Sequence, residues 1–402
     1  MLVLVILFVS LFVAQGKWLR SLQSGKWVKY ISGASNNDVC LVRNLALIYS
    51  LAGVNCIGQY NIMVLLLSFL LNISQNLYLT CTIIDCAADP AIIRAVHEGI
   101  QSSQQLRSYH AFERPLIMIS VNDDEDPHFR KAYFDPQQCP TNCLRPCEKV
   151  CPASAIKETV GVIDDRCYGC GRCIAVCPYD KISALNYLVD SESIRGLFAS
   201  GSVEAIEVHT QRNHLAQFKT LWEGIAKSVY ENAKFVSVSF PDMGNSTLEY
   251  INAMYNIMRS SPSYSLFKGV HVWQTDGRPM TGDLGKGASY SSVQFAERLF
   301  SNLTRQDMSG AEDVISLNSG RHFLQLAGGT NDHSAALLRE RGTLDGALGF
   351  GGLAFGGYAR KSLSMLLHGL EEREPLLRIE SHPSELEECV KFAERLVASV
   401  KT

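Results

Sequence analysis

Short β-branched and aromatic runs alternate with longer stretches in which apolar residues recur every three to four positions, a pattern that predicts parallel α/β architecture. Eight strands are expected at 28–32, 54–57 continuing at 85, 116–121, 205–209, 235–240, 269–274, 323–326 and 347–352. Helical patterns follow most of them, at 37–53, 91–100, 215–229, 248–258, 292–303, 333–340 and 384–400. The third strand is the exception, because 122–188 hold a cysteine-rich segment instead of a crossover helix. Eight strand and helix units fit a (β/α)8 TIM-like barrel with an insertion after strand three, whereas a doubly wound sheet would need fewer strands.

Two apolar runs depart from this pattern. Residues 1–14 lack a basic leading segment and fall short of the roughly 20 residues that span a bilayer, so 1–26 read as an apolar leader or a gene-model artefact. Residues 58–84 interrupt the second strand. Joining Ile57 to Asp85 restores one strand, loop and helix start, Val54-Asn55-Cys56-Ile57-Asp85-Cys86-Ala87-Ala88-Asp89-Pro90. The segment is therefore expected to be an insertion, such as a retained intron, with a buried or membrane-associated hairpin as the alternative. The expected organisation is 27–134 for the first part of the barrel, 135–188 for a ferredoxin-like domain and 189–402 for the rest of the barrel.

Of the 402 residues, 47% are apolar, ample for a packed core. A formal charge of -3 with no long basic block makes nucleic acid a poor partner. Thirteen cysteines would suit a secreted disulfide protein, but eight of them lie between 139 and 177 at ligand-like spacings, which suits metal binding in a reducing compartment.

Cys167-x2-Cys170-x2-Cys173-x3-Cys177-Pro178 is the bacterial ferredoxin run, in which three thiolates hold one cubane and the fourth reaches another. Cys139, Cys143, Cys147 and Cys151 are spaced more widely but end in the same Cys-Pro step. Exchange of the fourth ligand gives one [4Fe-4S] cluster on Cys167, Cys170, Cys173 and Cys151, and a second on Cys139, Cys143, Cys147 and Cys177. Tetrahedral zinc or disulfides are the alternatives, and a [3Fe-4S] cluster is conceivable in the wider set. Cys40, Cys56, Cys81, Cys86 and Cys389 have no ligand spacing and read as small buried hydrophobes.

Polar residues gather at the expected C-terminal ends of strands, where a barrel carries its site, although loops there are polar in any case. His209 is the best-placed lone acid or base, with a structural role as its alternative. Asp276 and Arg278 could bind a ligand or brace their own loop. Gly328, Gly329 and Thr330 after strand seven, with Gly356, Gly357 and Arg360 after strand eight, could bind the phosphate of flavin mononucleotide or another anion. Paired glycines also serve tight turns and close packing.

Six stretches resemble the light-dependent period family of cyanobacteria and plants. They are 28–36, Cys139 to Pro152, Gly161 to Cys177, Ala205 to Gln211, Trp273 to Met280 and Gln325 to Asn331. The resemblance runs from about Trp27 to Lys361 in the same order along the chain. It implies an iron-sulfur protein that conveys the redox state of photosynthetic electron transport to the circadian clock and associates with clock proteins. It also implies the chloroplast stroma for a plant member and the cytoplasm for a cyanobacterial one, not a secreted protein. Redox sensing or electron transfer is the function expected. The rival is a barrel oxidoreductase that binds flavin, receives electrons through the clusters and acts on a small molecule.

Overall fold

The computed structural model describes residues 17–53, 82–106, 114–277, 287–310, 313–344, 349–374 and 376–401. Eight strands close into a parallel barrel: β1 (Trp27–Gly33), β2 (Thr82–Ala87), β3 (Leu116–Asn122), β4 (Ala205–His209), β5 (Phe235–Pro241), β6 (Val270–Asp276), β7 (His322–Ala327) and β8 (Phe350–Phe355). Each strand pairs with its chain neighbours, and β1 closes the ring by pairing with both β2 and β8. The expected (β/α)8 barrel is the fold.

The helices are α1 (Lys17–Gln23), α2 (Val39–Ala52), α3 (Pro90–Leu106), α4 (Ser191–Ala199), α5 (Leu215–Asn232), α6 (Thr247–Arg259), α7 (Ala288–Ser309), α8 (Ser334–Glu340), α9 (Gly357–Glu371) and α10 (Pro383–Lys401). Local chemistry sets their ends: α2 starts where the Asp38 carboxylate accepts the Leu41 N–H at 2.9 Å, and stops at Gly53.

Strand periodicity divides the barrel interior into layers. At the N-terminal end the inward residues are apolar: Trp27, Ile83, Leu116, Met118, Ala205, Phe235, Val270, Val272 and Phe323 form one cluster, with Trp27 stacked on Phe235 at 5.4 Å. Leu22 of α1 is fully buried in the same cluster, with Trp18 and Leu19 packed against it. Within the 1–26 segment expected to be leader or artefact, Lys17–Gln23 therefore forms a helix packed on the floor of the barrel. Residues 1–16 lie outside the described residues.

Other boundaries move as well. Because β2 starts at Thr82, Thr82, Ile83 and Ile84 are strand residues rather than part of an insertion ending at 84. Ile83 pairs in register with Leu116 and belongs to the floor of the barrel. Residues 54–81, including the expected strand start at 54–57, lie outside the described residues. A crossover helix does follow β3, since α4 comes after the cysteine segment and is capped by Asp190, whose carboxylate accepts from Ser193 N–H at 2.8 Å. Strand eight lies further along than 347–352, and α9 follows directly. Gly351 sits against Leu22 and Phe323, a position where glycine leaves no hydrophobic signal.

The cysteine segment has its own small core of Ala132, Phe134, Ala155, Ile156, Cys167, Cys173 and Ile182. Its entry strand Arg130–Tyr133 pairs antiparallel with its exit strand Ser183–Asn186, so it begins upstream of the boundary expected at 135.

Candidate metal centre and barrel mouth

Two short helices repeat one geometry in the cysteine segment. Pro146–Val150 carries Cys147 and stops at Cys151; Arg172–Val176 carries Cys173 and stops at Cys177. In both, the terminal thiol accepts a backbone N–H four residues on, from Ala155 to Cys151 at 3.2 Å and from Lys181 to Cys177 at 3.4 Å. Arg145 N–H points at Cys143 Sγ and Ala132 N–H at Cys167 Sγ, both at 3.4 Å. Such donors stabilise thiolate and cluster sulfur. Cys151, Cys167, Cys170 and Cys173 line one cavity with Ala132, Ile156, Tyr168 and Gly169. Cys147 lies within electrostatic reach of Cys177 and Cys143, and Cys139 packs on the same small core. No disulfide joins any of the described cysteines.

The loop Cys167–Cys170 wraps Arg130, whose Nε donates to Gly169 O at 2.9 Å. Gly169 has φ +70°, and a Cβ there would meet Arg130 O at 2.2 Å, so the turn requires glycine. A cradle of thiols, inward amides and a glycine turn suits an iron-sulfur group.

The cradle is fastened to the barrel mouth on two sides. On one, the Arg360 guanidinium lies 4.7 Å from the Tyr168 ring centroid and donates from Nη1 to Ile31 O at 3.0 Å. On the other, Tyr187 OH donates to Ala34 O at 3.0 Å and Ser35 Oγ at 2.9 Å, while Asn122 Nδ2 donates to Tyr187 O at 2.9 Å.

Above the apolar floor the inward residues become charged and polar. Lys29 Nζ lies 2.9 Å from Asp85 Oδ2, pairs closely with Glu207 and donates to Gln274 Oε1 at 3.1 Å. Glu207 also accepts from Gln274 Nε2 and Ser237 Oγ, each at 2.8 Å. Burial pulls the Lys29 pKa down, but Asp85 and Glu207 more than offset it and hold the ammonium above its ordinary value. Burial pushes Glu207 up, yet Lys29 and His209 carry it well below the usual carboxylate range; for Asp85 burial prevails and the shift is upward. Gln325, fully buried beside Gln274, has no hydrogen-bond partner for either amide atom among the described residues.

At the rim, Asp126, His128 and His209 converge. His128 Nδ1 lies 2.8 Å from Asp126 Oδ1, and the two imidazole centroids are 4.9 Å apart. Burial lowers the His128 pKa, but Asp126, then Asp276 and Glu207, outweigh it and raise the ring to about 9. Burial pushes Asp126 up, whereas His128, His209 and Gln211 hold it far below its ordinary value. Burial lifts Asp123 to about 6 despite hydrogen bonds from Thr210 and His214.

The structure places His209 at the centre of this rim. The glycine loops are engaged in packing: Gly328 O accepts from Ser292 Oγ, a Cβ on Gly329 would meet Ala288 O at 2.8 Å, and Thr330 Oγ1 donates to Ala354 O at 2.6 Å. Gly356 and Gly357 open α9. Arg360 lies over the Tyr168 ring and holds Ile31 O. Arg278 lies outside the described residues, and Asp276 faces His128 Nε2 at 3.4 Å. Sequence reasoning passed over Lys29, Asp85, Glu207, Asp126 and His128. Charges at inward positions of otherwise apolar strands were the available signal for the first three.

Comparison with known proteins agrees with this architecture. The Light dependent period A C-terminal domain model matches residues 197–399, and the LdpA Fe-S cluster-binding domain model matches 139–188. Light dependent period A of Synechococcus elongatus is 35% identical over 385 residues, covering 95% of this chain and 93% of that protein. Protein NrfC homolog of Haemophilus influenzae is 36% identical over 110 residues, 26% of this chain and 42% of its own length. An uncharacterized ferredoxin of Methanocaldococcus jannaschii is 32% identical over 75 residues, 18% of this chain and 42% of its own length.

Proposed function

The chain belongs to the light dependent period A family of iron-sulfur proteins, and from that premise we propose that it is a redox sensor carrying two [4Fe-4S] clusters. One cluster sits on Cys151, Cys167, Cys170 and Cys173, the other on Cys139, Cys143, Cys147 and Cys177. The observation that carries this reading is the gathering of Cys151 with Cys167, Cys170 and Cys173 around a single cavity, the ligand exchange of a two-cluster ferredoxin. Such clusters supply one-electron redox chemistry. The chain's own residues hold the thiols, donate N–H groups to sulfur and fasten the loop to the barrel through Arg130, Arg360 and Tyr187.

The signal read is the redox state of photosynthetic electron transport, in a chloroplast stroma or a cyanobacterial cytoplasm, and its receivers are protein partners of the clock. The family and the ferredoxin-type segment support this. Among the described residues no helix is long and apolar enough to cross a membrane.

A second reading, a flavin-dependent barrel oxidoreductase with His209 as acid or base, draws support from the polar barrel interior and the Gln325 amide, which has no partner among the described residues. Anaerobic iron, sulfide and flavin quantification decides between them. The sensor predicts about eight iron atoms per chain without flavin, with Cys167→Ala and Cys147→Ala each removing about four. Stoichiometric flavin favours the oxidoreductase, and a chain that binds no iron overturns both.

A further inference from the structure

Asp126, His128 and His209 form a second constellation with metal-ligand chemistry, separate from the cysteines. One ligand atom from each lies within 4.8 Å of the others. Asp126 Oδ1 is 2.8 Å from His128 Nδ1 and 4.0 Å from His209 Nδ1. Ligands about 2.1 Å from a tetrahedral ion stand about 3.4 Å apart, so each of these separations is within about 0.6 Å of what an ion would impose.

The outer polar atom of each residue is anchored by a different partner. Gln211 Nε2 donates to Asp126 Oδ2 at 2.6 Å, leaving Oδ1 to face inward. His209 Nε2 lies 3.2 Å from Glu207 Oε1 and 3.4 Å from Ser120 Oγ, which turns Nδ1 toward Asp126. His128 Nε2 faces Asp276 Oδ2 at 3.4 Å. A carboxylate behind each imidazole and an amide behind the carboxylate is the outer shell that orients metal ligands. Asp276 faces His128 and Glu207 faces His209, while Lys29 lies a layer deeper between Asp85 and Glu207, so a metal cation that takes the place of the proton shared by Asp126 and His128 meets three nearby carboxylates.

We infer that the barrel mouth binds one divalent first-row transition cation through Asp126, His128 and His209. Two imidazoles and one carboxylate suit zinc, iron(II) or manganese(II), and three protein ligands leave at least one position for water or a small oxygen-bearing ligand. The site is independent of how many clusters the cysteines hold.

The test uses anaerobic, cluster-loaded full-length protein, treated with chelator and desalted, with iron measured before and after to show that the clusters remain. Calorimetric titration with Zn2+ is expected to show one saturable equivalent of micromolar affinity or tighter. Asp126→Asn and His128→Ala are expected to weaken it at least about 100-fold, and Gln211→Leu about 10-fold. Zinc-edge X-ray absorption on the loaded wild-type protein should show a nitrogen and oxygen shell with imidazole scattering. That readout decides the matter even where a variant does not fold. A wild-type protein with no saturable equivalent, a sulfur shell around zinc, or folded ligand variants that bind as wild type would each overturn the inference.

Discussion

The guanidinium of Arg360 stacks over the ring of Tyr168 at 4.7 Å, joining the end of the barrel to the loop between Cys167 and Cys170. Arg360 stands on the first turn of α9 and also holds Ile31 O of β1. One buried side chain therefore touches both the barrel wall and the thiol cradle.

Arg360→Ala removes that bridge. It is expected to cost about 1–3 kcal/mol in denaturant unfolding. It should also lower the reduction potential of the adjacent cluster by tens of millivolts, roughly, because a nearby cation no longer favours the added electron. Arg360→Lys should recover most of the potential but little of the stability, since it restores charge without the planar fork. Redox titration followed by electron paramagnetic resonance checks the sign.

Gly169→Ala places a side chain where φ is +70° and Arg130 O would be 2.2 Å away. The loop must shift, so the variant is expected to retain about half the iron of the wild-type protein, the loss falling on the cluster of Cys151, Cys167, Cys170 and Cys173. Iron and sulfide analysis after anaerobic purification measures this directly.

The barrel and the iron-sulfur segment were legible in the sequence because each rests on local periodicity or fixed spacing. The β-branched runs marked the strands, and the Cys-Pro steps marked both halves of the cluster segment. What escaped were features whose meaning depends on distant partners. Lys29 is an isolated lysine in a strand until Asp85, Glu207 and Gln274 surround it. Asp126 and His128 occupy a loop whose value appears only when β4 brings His209 beside them. The glycines around 328 and 356 suggested an anion site, but glycine also serves close packing, as against α7 here. Lys17–Gln23 was hidden by the apolar run before it and by its short length.

Leu22→Ala tests the role of α1 as the floor of the barrel. Leu22 is fully buried against residues from several strands. Its truncation is expected to cost about 2–5 kcal/mol in chemical denaturation, far above the effect of an exposed leader residue.

His322 gives the fold a pH dependence away from the clusters. It accepts from Trp273 Nε1 at 3.2 Å and stacks on His271. Burial, then Arg321, holds His322 down to about 4, and burial, His322 and Arg321 lower His271 as well. The unfolded chain therefore takes up protons first. The contribution is complete above about pH 6.5 and is lost as pH falls toward 4. His322→Gln keeps an acceptor for the indole but does not titrate. Between pH 7 and 5 the wild-type protein should lose about 2 kcal/mol more than this variant, measured by denaturant unfolding at each pH.

A redox sensor requires that the oxidation state of its clusters be felt beyond the cysteine loops. The path is short, because His128 at the barrel rim leads directly into Arg130, which holds Gly169 O, and Tyr187 ties the exit strand to Ala34 and Ser35. The most direct measurement is amide hydrogen exchange on the full-length protein, fully oxidised and fully reduced. Exchange is expected to differ between the two states at 31–36 and 128–133 as well as within 167–171, since a sensor must present a partner with two distinguishable surfaces. Identical exchange everywhere outside the cysteine loops would contradict it and leave an electron carrier in place of a sensor.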